Sequence, residues 1–277
     1  MELIWKSGKY GLTHDIKMNK NIKISIVTPS YNQGDFIEKT IQSVLNQTYK
    51  NIEYIIVDGG STDQTLKIID KYRNRIATVI SEKDKGQSEA INKGFKLATG
   101  DLAGWINSDD ILYPDCVEKI VELYNTHPDG CIYYPAMLDI IDREGKLLYK
   151  SVRKISNRNH LLNKNYSIIQ QGSFYDSRLM KKICYLDESI YYCMDLDLWL
   201  RLLKENDKIY FFNSYALSAF RVWEGTKTTK GAAKFLQNTK QVLENHGAKK
   251  NSLAQFHLIY TAFRIWASGI KRKIISK

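Results

Sequence analysis

Four short apolar runs, each followed by an amphipathic segment, organise the first half of this 277-residue chain. The runs KISIVTP, IEYIIVD, ATVIS and LAGWIN predict buried strands. Helices are predicted to follow them over about Asp35–Gln47, Asp63–Tyr72, Gln87–Leu97 and Pro114–Tyr124. Consecutive strand–helix units join parallel strands through right-handed crossovers. The pattern therefore predicts an α/β fold built on a mostly parallel sheet.

After Gly130 the rhythm changes, which predicts a mixed second half. CIYYPAMLDI and KLLYKSV, separated by DREG, are typical of an antiparallel hairpin. A strand near Ser173–Tyr175, a helix from about Met194 to Lys204, strands at IYFF and ALSAFRVW, and two final helices are predicted next. We expect an N-terminal extension (1–22), one domain (23–225, with halves 23–128 and 129–225) and a basic helical tail (226–277).

The predicted tail carries most of the formal net charge of +11. It contains one acid, Glu244, and eleven basic residues: Lys227, Lys230, Lys234, Lys240, Lys249, Lys250, Arg264, Lys271, Arg272, Lys273 and Lys277. An enzyme that acts on nucleic acid more often spreads positive charge around its cleft, so nucleic acid is not the expected partner. A basic tail on a nearly neutral body favours an anionic membrane surface.

A helix starting at Leu253 would gather apolar side chains on one face. That face contains Leu253, Phe256, Tyr260, Phe263, Ala267, Ile270 and Ile274. Leu258 and Ile265 lie opposite, which fits a helix partly packed on the domain, with Trp266 and the cluster Lys271–Lys273 near lipid. A solvated basic end or an oligomer contact is the alternative.

The cysteines and the N-terminus indicate in which cellular compartment the protein is expected. Four scattered cysteines without a CxxC pair disfavour a zinc site or a disulfide framework and fit a reducing cytosol. We find no signal-peptide core and no apolar run of about 18 residues. The expected location is the cytoplasm, with the chain peripheral on the inner face of the membrane if the tail binds lipid.

Polar loops follow all four predicted strands, over Thr28–Asn32, Asp58–Asp63, Ser81–Gln87 and Asn107–Asp110. Ligands of open α/β sheets bind beyond the carboxyl ends of the strands, so these loops should converge. The first loop lacks GxGxxG, and GxxxxGK[ST] occurs nowhere, so phosphate must be held in another way. A hard cation held by Asp110 is the natural candidate.

The segments SIVTPSYNQGDFIEKTIQSVLNQTY, EYIIVDGGSTDQT, EKDKGQSEAINKGFKLATGD and NSDD resemble, in order and spacing, the family-2 glycosyltransferases of the GT-A fold. The resemblance runs from about Lys23 to Val222. It implies an inverting transferase with a nucleotide-binding half and an acceptor half, a nucleotide-diphosphate sugar as donor and a glycan or lipid-linked glycan as acceptor.

The resemblance also implies roles for matched positions. Asp58 would accept from the uracil N3–H, with the base framed by Thr28, Pro29 and Tyr31. Lys85 and Gly86 would lie along the ribose and diphosphate. Asp109 would reach the ribose or the donor sugar, and Asp110 would ligate Mn²⁺ or Mg²⁺.

The chemistry of the acidic pair supports a metal independently. A departing diphosphate gains negative charge, which a divalent cation neutralises as a Lewis acid. Mg²⁺ needs only one or two carboxylates besides substrate phosphates. The plainer interpretation of Asp109 and Asp110 is a turn or a helix cap.

An inverting transfer needs a carboxylate that takes the acceptor proton. The stretch CMDLDLWLR is similar to the family's ED-x-x-LW-x-R segment, which implies that Asp195 is the base, with Met194 in place of the usual Glu. Asp197 is two positions away on a helix, so it faces elsewhere and is expected to form a surface ion pair with Arg201. An N-cap role is the alternative for Asp195.

Three further positions follow from the resemblance. Gln171 lies in a segment that approaches donor sugar and acceptor. Arg221 begins the place where relatives carry R-x-H, and Trp223 stands where the His would be. Trp cannot ligate a metal, so that contact is lost or taken over by Arg221, Lys227 or Lys230; Trp223 is equally compatible with a core position.

The expected function is glycosyl transfer from a UDP-sugar during surface-polysaccharide assembly. One rival is a sugar nucleotidyltransferase, which would normally show a Gly-rich, basic loop after the first strand. Another is a non-catalytic basic module that binds nucleic acid through its tail.

Overall fold

The computed structural model describes residues 22–227 and 231–263. The predicted extension up to residue 21 and the predicted lipid-facing positions from Arg264 onwards, including Lys271–Lys273, lie outside these ranges.

The first half folds as the alternating pattern predicts. Its elements are β1 (Ile24–Ser30), α1 (Ile37–Leu45), β2 (Ile52–Asp58), α2 (Thr65–Lys71), a 3₁₀ turn (Arg73–Arg75), β3 (Thr78–Ser81), α3 (Gln87–Leu97), β4 (Leu102–Trp105), β5 (Ile111–Leu112) and α4 (Cys116–Thr126). The two-residue strand β5 was not predicted.

The second half is mixed, as expected. It contains β6 (Ile132–Pro135), β7 (Met137–Ile141), β8 (Leu147–Val152), α5 (Arg158–Asn163), β9 (Phe174–Asp176), α6 (Ser177–Lys182), α7 (Met194–Glu205), β10 (Ile209–Phe212), β11 (Ser218–Arg221) and α8 (Ala232–Asn245). Residues 253–263 are also helical.

One seven-stranded sheet spans both halves, in the order β10-β6-β9-β4-β1-β2-β3. β1 pairs in parallel with β2 and β4, and β3 pairs in parallel with β2. Ser30 lies opposite Asp58, and Asp58 opposite Ser81. The loops that follow these strands therefore start at the same edge of the sheet. β9 enters antiparallel between β4 and β6, which ties the second half to the first.

A second sheet has the order β5-β11-β7-β8. The predicted antiparallel pairing of β7 with β8 is confirmed. The prediction of one strand over CIYYPAMLDI is wrong, because the run divides at Ala136 between the two sheets. The N–H of Ala136 still bonds the Phe212 carbonyl beside the large sheet, whereas β7 pairs with β8 and β11.

Alternation along β1 separates two cores, one on each face of the large sheet. Ile24 and Ile26 pack on the side of α1 and α4, whereas Val27 packs on the side of α3 and α7. Gly94 lets α3 approach β1 closely, since a Cβ there would overlap Val27. Because α3 packs closely on β1, the N-terminus of α3 lies near the carboxyl ends of the strands.

The described tail is helical, as predicted, and it packs on the domain. Val242 and Leu243 of α8 are buried in the α7-side core together with Ala254 and Leu258 of the following helix. Across residues 22–227 and 231–263, no helix has both the length and the hydropathy required to cross a bilayer.

Candidate functional site

Asp110 lies between β4 and β5, immediately before Ile111, and is fully buried. Its Oδ1 accepts from the backbone N–H of Arg221 at 2.9 Å, and its Oδ2 accepts from the side-chain amides of Asn107 and Gln171, both at 3.0 Å. Burial, reinforced by the neighbouring Asp109, raises the pKa of Asp110 to about 8. These four residues, Asn107, Asp110, Gln171 and Arg221, are called the Asp110 cluster below.

The Asp110 cluster joins three segments of the chain. Besides its backbone contact, Arg221 uses its guanidinium to donate to the carbonyls of Asp109 (2.8 Å), Asp142 (3.1 Å) and Arg143 (2.8 Å). Arg221 and Gln171 are themselves buried. The polar atoms of Asp110, Gln171 and Arg221 are directed to one another and to the backbone. The expected roles of Asp110 toward a cation and of Gln171 and Arg221 toward the donor stay predictions.

Asp109 is the partly exposed member of the acidic pair. The indole N–H of Trp223 donates to its Oδ2 at 3.0 Å. Burial raises the pKa of Asp109, an effect that this hydrogen bond and the charge of Arg221 oppose. Of the two aspartates, Asp109 is therefore the more accessible.

Trp223 is half-buried beside Asp109 and belongs to neither of the two core clusters. Its ring lies 4.9 Å from the Phe36 ring, centroid to centroid. The guanidinium carbon of Arg143 lies 5.2 Å from the Trp223 ring and 5.0 Å from the Phe36 ring. This stack fixes the chain after β11 against the entry to α1, directly beside Asp109.

Asp195 is the second residue of α7, which begins after Cys193 in a left-handed conformation (φ 59°). Its Oδ1 accepts from the N–H of Leu196 at 2.9 Å. The N-cap alternative does not hold, because Cys193 occupies that position. Burial raises the pKa of Asp195, and the positive charge of Lys227 partly offsets the rise.

Asp197 points away from Asp195, as the helix geometry predicts. The ion pair with Arg201 is confirmed, with Nε and Oδ2 2.7 Å apart. The prediction of a surface location is wrong, because Asp197 is buried and also contacts Nε2 of His246 at 2.8 Å. Burial alone would raise the pKa of Asp197, but the contacts with His246 and Arg201 lower it.

A chain of hydrogen bonds links the Asp110 cluster to the surroundings of Asp195. Asn107 accepts on its Oδ1 from the Gln87 amide at 2.8 Å. The Oε1 of Gln87 accepts from the ammonium of Lys227 at 3.1 Å, and Lys227 also donates to the Tyr191 carbonyl at 3.0 Å. Since the charges of Lys227 and Asp195 interact, the end of β4 and the start of α7 meet at the N-terminus of α3.

A second contact supports the same meeting point. The Ser88 hydroxyl donates to the Met194 sulfur at 2.8 Å. Sequence reasoning assigned no role to Gln87, Ser88 or Asn107, although all three lie in the motif segments. The sequence signal that could have indicated them is the position of these polar side chains at the predicted strand and helix ends.

Asp58 is buried within its own turn. Its Oδ2 accepts from the N–H groups of Gly60 (3.1 Å) and Ser61 (2.9 Å) and from the Ser81 hydroxyl (2.9 Å), and its Oδ1 accepts from the Ser61 hydroxyl. Both oxygens therefore hold β2, its following turn and β3 together, and neither faces a free surface.

Asp84, which the sequence did not single out, lies beside Gly59. A Cβ on Gly59 would be 2.5 Å from Asp84 Oδ2, so this carboxylate fills the space of the missing side chain. Its Oδ1 accepts from the Gly86 N–H at 2.9 Å. Burial raises the pKa of Asp84.

The remaining predicted positions lie at the same edge. Tyr31 is 60% exposed, and Pro29 and Thr28 are buried, with the Thr28 hydroxyl 3.0 Å from that of Tyr54. Lys85 is exposed, and Gly86 opens α3 at φ 143°, a conformation that a side chain would strain. Tyr31 and Lys85 are thus the accessible members.

Within the described residues no three His, Cys, Asp or Glu side chains group to hold a metal ion. A cation at this edge would therefore need oxygen ligands from phosphate and water besides protein carboxylate, which the partly exposed Asp109 could offer. Mg²⁺ and Mn²⁺ accept such an oxygen set, so the residues present fit a cation that arrives with a diphosphate.

Comparisons with known proteins agree with the fold. TarS of S. aureus, solved in complex with UDP-GlcNAc, superposes with a TM-score of 0.66 at 19% identity, over 87% of this chain and 70% of that one. The mannosyltransferase PcManGT of Pyrobaculum calidifontis, in complex with GDP-Man and Mn²⁺, superposes with a TM-score of 0.61 at 14% identity, over 91% and 76% of the two chains.

Relatives found by sequence have a higher identity to this chain than these two solved structures. An uncharacterized glycosyltransferase of Rickettsia typhi is 32% identical over 194 residues, which cover 68% of this chain and 60% of the relative. Chondroitin synthase of Escherichia coli is 32% identical over 182 residues, 65% of this chain and 26% of that protein. The chain thus spans about three fifths or less of the length of these relatives. Residues 25–183 match the family described as glycosyl transferase family 2. The fold and the sequence together show that the chain belongs to this family.

Proposed function

We propose that the chain transfers a sugar from a nucleotide-diphosphate sugar to a hydroxyl group of a glycan or lipid-linked glycan, with inversion at the anomeric carbon. The observation that carries the proposal is the hydrogen-bond chain from Asn107 through Gln87 to Lys227. It links the loop that carries Asp109 to Lys227, whose charge interacts with Asp195. Asp109 and Asp195, which are remote in sequence, therefore both lie near the N-terminus of α3.

On the donor side, Asp109 is the residue we assign to a divalent cation, in place of Asp110. The Asp110 cluster then supports Asp109 from behind, since Arg221 holds the Asp109 carbonyl and the Asp110 backbone continues into β5. When bound, Mg²⁺ or Mn²⁺ neutralises charge on the departing diphosphate. PcManGT, a protein of similar fold, was solved in complex with Mn²⁺ and GDP-Man, which supports a divalent cation beside the donor.

For the nucleobase we assign Asp84 in place of Asp58. The Asp58 oxygens are occupied by Ser61, Ser81 and Gly60, whereas Asp84 offers Oδ2 beside Gly59. A carboxylate accepts from the N3–H of uracil, and cytosine presents an acceptor at that position. Tyr31 provides an exposed ring at the same edge, and Lys85 provides positive charge. These features favour a uridine donor.

On the acceptor side, Asp195 acts as the base in a single displacement. The acceptor oxygen forms its bond to the anomeric carbon while its proton passes to the Asp195 carboxylate. The bond from the anomeric carbon to the diphosphate oxygen breaks, and its electron pair leaves with the nucleoside diphosphate. Because burial raises the pKa of Asp195, its carboxylate is a stronger base than that of an exposed aspartate.

A panel of nucleotide sugars with Mn²⁺, scored for the released phosphate product, tests the proposal. Wild type should release a nucleoside diphosphate from one or a few donors, and Asp109→Ala should abolish release. Release of pyrophosphate would instead indicate a sugar nucleotidyltransferase. Binding of nucleic acid that survives Asp109→Ala, without turnover of any nucleotide sugar, would indicate a non-catalytic basic module.

A further inference from the structure

One face of the helix formed by residues 253–263 packs on the domain, and another exposes apolar side chains. Ala254 and Leu258 are buried, and Gln255 beside them is buried as well. The opposite face, called the outer face here, is defined by Leu253, Phe256 and Ile259, which are 68%, 58% and 64% exposed. At about 100° per residue these three side chains lie within about 120° of arc.

The outer face differs from the scattered exposed apolar residues of an ordinary surface. Single exposed hydrophobic side chains are normal, whereas a contiguous patch marks a contact with another molecule or with a membrane. On this helix the large apolar side chain that points inward is Leu258. Leu253, Phe256 and Ile259 point outward. The inner face already anchors the helix, so the outer face adds nothing to the core.

Basic residues flank the outer face in the sequence. Lys249 and Lys250 are exposed immediately before the helix. In the sequence no Asp or Glu follows Glu244, and the basic residues beyond Phe263 are Arg264, Lys271, Arg272, Lys273 and Lys277. An apolar face with basic flanks complements anionic lipid headgroups and the acyl boundary beneath them. It suits the apolar surface of a second protein less well, because the basic groups would lack partners there.

We propose that residues 253–263 dock the protein on an anionic membrane surface, with Leu253, Phe256 and Ile259 entering the interface between headgroups and acyl chains. The helix then lies in the plane of the surface, since Leu258 and Ala254 keep it on the domain. This docking does not depend on the proposed reaction, so either can fail without the other.

Flotation of the full chain with large unilamellar vesicles tests the docking. Wild type should bind vesicles of phosphatidylcholine with phosphatidylglycerol about tenfold or more tightly than vesicles of phosphatidylcholine alone, and salt should weaken the binding. The variant Leu253→Ser/Phe256→Ser/Ile259→Ser should lose about tenfold or more of this affinity. Lys249→Gln/Lys250→Gln should weaken binding to the anionic vesicles while leaving every core contact in place.

The matched control removes three apolar side chains from another exposed site, the strand β8. Leu147→Ser/Leu148→Ser/Val152→Ser should bind vesicles as wild type does, because these residues lie on the edge of the second sheet. The proposal is overturned if the lysine variant and the outer-face variant both bind like wild type. It is also overturned if wild type ignores both vesicle types and size-exclusion chromatography shows a dimer that the outer-face variant dissociates, since the outer face would then contact a second copy.

Discussion

The indole N–H of Trp223 and the Oδ2 of Asp109 lie 3.0 Å apart, in a region where both groups are partly buried. A tryptophan therefore restrains the carboxylate that we assign to the cation. A hydrogen bond to the outer side of a metal-binding carboxylate orients it, and losing such a partner typically lowers metal affinity.

Trp223→Phe should weaken Mn²⁺-dependent binding of UDP by about tenfold or more. The ring keeps its packing against Phe36, so the change isolates the hydrogen bond to Asp109. Isothermal titration with UDP, in the presence and absence of Mn²⁺, measures the effect. Trp223→His is the matched comparison, because it retains an N–H donor and should recover part of the affinity. Equal loss in both variants would show that packing, and not the hydrogen bond, matters.

The two neighbouring aspartates should respond oppositely to mutation. Asp110→Ala leaves two buried donors and one half-buried donor without their acceptor, which we expect to cost about 3 kcal/mol of the free energy of unfolding. Asp109→Ala should change that free energy by less than about 1 kcal/mol and remove Mn²⁺-dependent donor binding. Urea unfolding and titration with UDP provide the two measurements. A stable Asp110→Ala protein that has lost only its cation would restore Asp110 as the ligand.

The order of helices and strands in the first half could be predicted because local periodicity decides it. The division of the run CIYYPAMLDI at Ala136 could not, since pairing with β10 and β11, both distant in sequence, determines it. The strand β5 has two residues and so has no period to detect.

In the site, the sequence indicated that the loops lie at one edge of the sheet, but not which carboxyl oxygens the fold occupies with hydrogen bonds. Whether Asp109 or Asp110 faces outward depends on the pairing of β5 with β11, which turns Asp110 toward the backbone of Arg221. The position of Asp84 beside Gly59 could not be predicted, because it arises from a contact between two loops. The absence of a side chain at Gly59, within a polar loop, was the only local sign.

Discrimination between nucleobases tests the assignment of Asp84. The wild-type protein should bind UDP more tightly than CDP, because the Asp84 carboxylate accepts from uracil N3–H and repels the acceptor of cytosine. Asp84→Asn supplies a donor, so we expect the ratio of the two dissociation constants to fall by about tenfold. Asp58→Asn should instead lower stability. An unchanged ratio in Asp84→Asn, in a folded protein, would exclude Asp84 from the base site.

The pH dependence of transfer should follow Asp195. Only the deprotonated carboxylate takes a proton, so kcat/KM should rise with pH through a pKa above the ordinary 3.8 of aspartate, since burial raises it. Lys227→Met removes the charge that opposes this rise, and the acid limb should move to higher pH. Lys227→Arg keeps the charge and should keep the wild-type limb. Identical limbs in all three proteins would contradict the role of Lys227 beside Asp195.

Asp197 should matter for stability and not for chemistry. Its pKa is lowered in the fold, so its stabilising contribution is present at neutral pH and is lost as the pH falls through the folded-state pKa, below the ordinary 3.8. Asp197→Asn leaves Arg201 unpaired and should cost about 3 kcal/mol at pH 7. Urea unfolding at pH 7 and near pH 3 should show this difference shrinking with acid. The exposed Asp207→Asn serves as control and should change little at either pH.

The most direct test of the central claim compares donor binding with transfer in Asp195→Asn. The amide preserves the size of the side chain and removes the base, so UDP should bind with the wild-type dissociation constant in Mn²⁺. The rate at which nucleoside diphosphate is released in the presence of acceptor should fall by about 100-fold or more. Transfer within a few-fold of wild type, at unchanged donor binding, would contradict the claim that Asp195 takes the acceptor proton.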